Sequence, residues 1–157
     1  MKRWDRRALE GLPLRLLIMS LLVSLTVPVV MGSVESYERS TARSMLVSAS
    51  EHLLSTVEET MSAGEGNRRI IVLTLPWSVD RYLLALEVGG ELERPSSMTI
   101  RCTCDGLPFA TMVPEDPPAR MTSSDMRTLR LVGGEHRLSV ECAMVQGRMV
   151  AVVEVVG

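Results

Sequence analysis

The alternation of apolar and polar positions divides the chain into three regimes. Residues 14–31, LRLLIMSLLVSLTVPVVM, are apolar on every helical face, with one charge at Arg15 and polar side chains only at Ser20, Ser24 and Thr26. Eighteen helical residues rise roughly 27 Å, close to the hydrocarbon thickness of a bilayer, so this stretch predicts a transmembrane helix. Arg15, one residue from its start, can snorkel to the headgroups. A buried core helix is the competing reading, but a helix apolar all round needs a larger protein about it than this one. Pro28 removes a backbone hydrogen bond inside the span and predicts a kink there.

A second pattern follows. In residues 32–63 the apolar positions Ala42, Leu46, Ala49, Leu53, Val57 and Met61 recur at spacings of three and four. Glu35, Glu38, Arg39, Arg43, Glu51, Glu58 and Glu59 fall largely on other faces. That is an amphipathic helix with one face to bury. Ala63-Gly64-Glu65-Gly66-Asn67 supplies glycine chemistry to end it.

From Arg68 the period shortens to two. Residues 69–75, 82–88, 98–104, 127–132, 136–145 and 148–156 are apolar or alternating runs split by turn formers such as Gly89-Gly90, Asp105-Gly106 and Gln146-Gly147. They read as strands of a mainly antiparallel sheet. Residues 113–124, with Pro114, Pro117, Pro118, Glu115 and Asp116, read as an exposed loop. The expected fold class is α+β: a single long N-terminal helix, its membrane span continuing into an amphipathic stalk, packed on a small mainly antiparallel β-sheet domain. The expected divisions are a basic head at 1–13, a transmembrane helix at 14–31, a helical stalk at 32–63 and a β-domain at 68–157.

Length and charge refine this layout. The 157 residues have room for one ordinary domain and an anchor. Net charge is only -2, yet in residues 1–15 Lys2, Arg3, Arg6, Arg7 and Arg15 stand against just Asp5 and Glu10, while seventeen acids and twelve arginines follow Gly32. A positive flank stays on the cytoplasmic side, which places the C-terminal domain outside a cell membrane crossed once. A cleaved secretory signal is the rival, with a weak small-residue site at Gly32. Nothing after the anchor forms a basic stripe, and the five aromatic residues form no stacking platform, so nucleic acid is excluded as a partner.

The chemistry-bearing residues are few. Cys102, Cys104 and Cys142 all fall on inward strand positions. Outside the cell they allow one disulfide and a spare thiol, Cys142 pairing with Cys102 or Cys104 if their strands are neighbours; three buried thiols acting as small apolar residues are the other reading. A zinc site would need His136 as the fourth ligand of an unusual Cys-x-Cys set. His52 and His136 read as surface histidines, and Glu115-Asp116 lacks the spaced oxygens of a calcium loop. No nucleophile elbow, phosphate loop or zinc-protease pattern occurs, Lys2 is the sole lysine, and Asn67 is in no glycosylation triplet. The chain is expected to be no enzyme and to need no cofactor or metal.

Residues 4–30, WDRRALEGLPLRLLIMSLLVSLTVPVV, resemble the N-terminus of archaeal type IV pilin-like proteins. In that family a short basic class III signal peptide is cut on the cytoplasmic face ahead of an intact apolar helix. The resemblance implies a prepilin-type peptidase cutting after Ala8, leaving Leu9 first, or after Gly11, leaving Leu12 first. Neither cut places a glutamate fifth, as the bacterial pattern has it. It further implies a pilin-like or pseudopilin-like structural subunit of a surface filament or secretion apparatus, with the bilayer and other such subunits or envelope proteins as partners. The alternative is an uncleaved, single-pass, membrane-tethered binding or accessory domain of the cell envelope without enzymatic activity.

Overall fold

The computed structural model describes residues 6–78 and 82–156, and of residues 6–12 the backbone alone. The expected head residues Lys2, Arg3, Trp4 and Asp5 lie outside the described residues. Helix α1, Arg6–Ala63, is followed by strands β1 (Arg68–Leu75), β2 (Leu84–Val88), β3 (Ile100–Cys104), β4 (Leu107–Met112), β5 (Arg120–Thr122), β6 (Leu129–Val132), β7 (Gly134–Val145) and β8 (Arg148–Val155). A short 3-10 helix, Pro95–Met98, precedes β3. The chain forms two compact units, Met1–Arg39 and Ser40–Gly157.

In the first unit α1 starts earlier than the apolar run, and helical structure continues through Pro13, Pro28 and Gly32. Every described side chain from Pro13 to Glu38 is exposed. The hydroxyls that interrupt the apolar run turn back on the helix: Ser24 donates to the Leu21 carbonyl at 2.9 Å, Thr26 to that of Leu22 at 3.0 Å and Ser33 to that of Val29 at 2.9 Å. Such back-bonding satisfies a hydroxyl without water.

The second unit opens with the amphipathic turns of α1. Ala42, Leu46, Leu53, Val57 and Met61 are buried as their spacing predicts, and Ala49 is partly so. Asn67 closes the helix, its side-chain amide donating to the Ala63 carbonyl at 2.6 Å and to that of Gly64 at 3.1 Å, while Gly64 and Gly66 take φ of 89° and 82°. These glycines adopt the left-handed backbone that ends a helix without steric cost.

The β-region is two four-stranded sheets, in the orders β1-β7-β8-β5 and β4-β3-β2-β6. All pairings are antiparallel except β5 with β8. Two-residue turns at Asp105-Gly106 and Gln146-Gly147, all four residues at positive φ, set the hairpins β3–β4 and β7–β8. Leu73, Leu138, Val140, Cys142, Ala151, Val153 and Met121 make the inner face of the first sheet; Leu86, Val88, Ile100, Cys102 and Leu131 make that of the second. Both faces share one core with the buried stripe of α1. On the outer face of the second sheet Glu87 stands between Arg101 and Arg130 and pairs with Arg101 at 3.2 Å.

The sequence pattern misses two strands. β4 lies in a stretch it leaves unassigned, and the expected exposed loop at 113–124 is corrected: it contains β5, with Ala119 and Met121 wholly buried and Thr122 nearly so. Three residues are too few to show a period, and the burial comes from parallel pairing with distant β8. Gly89 and Gly90 let the chain cross this strand. The Gly90 N–H donates to the Met121 carbonyl at 3.1 Å, and a Cβ on Gly89 would stand 2.2 Å from that same oxygen. Arg120 tethers the following segment by donating to the Leu92 carbonyl and, at 3.0 Å, to the Ser97 hydroxyl.

Candidate functional site

Three places concentrate what this chain can do: the bare apolar stretch of α1, the thiols of the core, and the open edge of β1. The first follows directly from composition. Leu14, Leu16, Leu17, Met19, Leu25 and Val29 are each at least 60 % exposed, and no other described residue covers them. The stretch from Pro13 onward contains a window long and apolar enough to cross a membrane. Leu16, Met19, Ser20, Val23, Ser24, Val27 and Pro28 line a shallow concavity on one side of it. The expected processing positions Ala8, Leu9, Gly11 and Leu12 are helical in backbone; their side chains lie outside what is described.

The disulfide expected among the cysteines is not formed. All three are free: Cys102 and Cys142 are buried and Cys104 is partly so. The expected pairing holds only between neighbouring strands, and Cys142 is on β7 of one sheet while Cys102 and Cys104 are on β3 of the other. Cys102 instead faces α1, its Sγ 3.4 Å from the Ser50 hydroxyl and 3.8 Å from the Leu46 carbonyl. Burial pushes its thiol above the ordinary value; the Ser50 contact opposes this and the negative Glu51 adds to it. Burial, then Glu65, raises Cys142 likewise. Thiols so held stay protonated and are poor nucleophiles and poor metal ligands at neutral pH.

The histidines and acids do not converge. His136 Nε2 lies 2.6 Å from the Val132 carbonyl, and the Glu115 N–H donates to Glu58 at 3.2 Å. Among the described residues, no three His, Cys, Asp or Glu side chains are grouped as a metal would need.

The third place escapes the sequence reading. β1 is an edge strand, hydrogen-bonded to β7 on one side through eight residues in unbroken register. Ile70 and Val72 face outward and are 49 % and 50 % exposed. Beside this strand Met45, Ser48, Ala49 and His52 of α1, with Val72, Leu73 and Thr74, line a groove of about 390 Å³. The signal was the unbroken run Ile70-Ile71-Val72-Leu73, apolar on both strand faces. Periodicity cannot say that one of those faces stays open.

No protein-family model, curated protein or solved structure matches this chain. Its chemistry is therefore read from its own residues: apolar and edge-strand surfaces suited to association, and buried thiols held inert.

Proposed function

We propose that the chain is a pilin-like or pseudopilin-like structural subunit of a surface filament or secretion apparatus. Its N-terminus is cytoplasmic, α1 anchors it in the membrane, and the β-domain lies outside. The observation that carries this reading is the division of α1: residues 14–31 present apolar side chains on all faces, exposed throughout, whereas residues 42–61 bury one stripe in a folded domain. An uncovered apolar helix needs lipid or other helices about it. A subunit that resides first in a bilayer and then in a bundle of like helices meets that need twice. The resemblance of residues 4–30 to pilin-like N-termini supports the same reading.

The second reading, a tethered binding or accessory domain, is favoured by the separate compactness of Ser40–Gly157. Intact mass and N-terminal sequencing of the protein from its native membrane decide between them. A chain beginning at Leu9 or Leu12 supports the subunit, since a prepilin-type peptidase then acts on it. A chain beginning at Met1 or Lys2 overturns that reading and leaves the tethered domain.

A further inference from the structure

The open edge of β1 goes beyond this reading and does not rest on it. Edge strands are normally blunted by proline, charged side chains, a bulge, shortness or a covering helix, because their unpaired N–H and C=O groups recruit other strands. Here Arg68–Leu75 is eight residues long with no proline and no register shift, and its charges are confined to Arg68 and Arg69 at its start, Arg69 pairing with Glu59 of α1 at 2.5 Å, which leaves Ile70 to Leu75 uncharged. Among the described residues nothing pairs with its free side.

We propose that a second copy of this chain pairs with β1, antiparallel and edge to edge, about a two-fold axis at Ile71, making one eight-stranded sheet from the first sheets of two copies. A two-fold axis perpendicular to a sheet keeps inner faces together, so only residues of equal parity oppose one another. Charge then selects the register. With the axis at Ile71, Arg68 of the second copy stands opposite Thr74, and Glu135 is the cross-strand neighbour of Thr74. Arg68 is the cross-strand neighbour of Glu141 and donates from Nε to the Ser139 hydroxyl at 2.6 Å, so each arginine is anchored on its own sheet in a row between two glutamates, with a short threonine intervening on the side of the second copy.

On the same outer face Ile70 opposes Val72 of the other copy, twice by symmetry, which covers the two half-exposed aliphatic side chains. The two Arg68 residues stay about 20 Å apart, six strand residues. Moving the axis to Ile70 would instead set Arg68 opposite Val72, whose neighbour on β7 is Arg137. Moving it to Val72 would carry Arg68 past the end of the strand to Pro76. Only the Ile71 axis combines opposite charges with the aliphatic pair.

The test uses the full chain in detergent with Cys104→Ser as background, since Cys102 and Cys142 are buried. Ile70→Cys and Val72→Cys chains carrying tags of different mass are co-expressed and mildly oxidised. The expected product is the mixed Ile70→Cys/Val72→Cys disulfide, several-fold above either like-with-like product. Dimers held by the membrane helix alone give no such register preference. Thr74→Glu, opposite Arg68 of the second copy, should tighten the dimer about fivefold and Thr74→Arg should loosen it comparably, from two added charge pairs per dimer. Absence of the mixed disulfide, or Val72→Cys linking to itself equally well, overturns the proposal. So does a dimer indifferent to the charge at position 74.

Discussion

Replacing Gly89 by alanine should destabilise the β-domain by far more than the same change at another positive-φ glycine. Gly89 has φ of 60° and Gly106 has φ of 79°, so alanine at either position bears the left-handed penalty of about 1–2 kcal/mol. There the likeness ends. A Cβ at Gly106 meets nothing within 4 Å, whereas at Gly89 it would stand 2.2 Å from the Met121 carbonyl oxygen and 2.5 Å from its carbon. Neither atom is the movable end of a side chain; both belong to β5, which is held by β8. Relief requires the two backbones to separate, which stretches the Gly90 N–H to Met121 bond and unseats the wholly buried Met121 side chain.

Losing that bond costs about 1 kcal/mol and forced overpacking about 1–3 kcal/mol, so Gly89→Ala should cost about 3–6 kcal/mol against about 1–2 for Gly106→Ala. That is a large part of a typical domain's 5–15 kcal/mol, by general experience. The assay is a urea titration of the full chain in detergent, with pulsed alkylation of buried Cys142 read by intact mass. This probe reports the β-domain and is blind to the bare apolar stretch of α1. Equal midpoints for the two variants would refute the idea that backbone crossing at Gly89 governs how the sheets are joined.

Leu53→Ala, at a position with no exposure on the buried stripe of α1, should cost about 2–5 kcal/mol in the same assay, while Leu22→Ala on the bare stretch should leave the midpoint unchanged; equal effects would contradict the division of α1. Thr122 buries a hydroxyl that has no hydrogen-bond partner among the described residues, so Thr122→Val should be neutral or stabilise by up to about 1 kcal/mol, and a loss above 1 kcal/mol would point to a partner for it. Because the folded state holds the Cys102 and Cys142 protons more tightly than the unfolded chain, their contribution to stability is complete below the ordinary thiol value of 9.0 and falls as pH climbs past it. Cys102→Ala should therefore show a shallower loss of stability than the natural chain above pH 9.0, and parallel slopes would refute the burial argument. In the folded chain a maleimide should label Cys104 first, with Cys102 and Cys142 reacting only after unfolding.

What could be read from the sequence was local and periodic. The apolar run at 14–31 needs nothing beyond itself to be recognised. The spacing of Ala42, Leu46, Leu53, Val57 and Met61 names the face that α1 buries, because each helical turn repeats the same geometry. Alternation located β1, β2, β3, β6, β7 and β8 to within a few residues, and glycine chemistry marked both two-residue hairpins. The α+β class followed from the order of these patterns.

What lay beyond periodicity was settled by contacts distant along the chain. β5 is three residues among prolines, and only its parallel pairing with β8 makes Met121 a core residue. The division into two sheets separates Cys142 from Cys102 and Cys104, which inward-facing positions alone could not foresee. Ile70 and Val72 stay half exposed because they point to the outer face of the first sheet and because β1, as an edge, has a flanking strand on one side only, both set by the arrangement of strands. A side-chain pattern states which face of a segment seeks cover; the arrangement of all the segments decides whether it finds any.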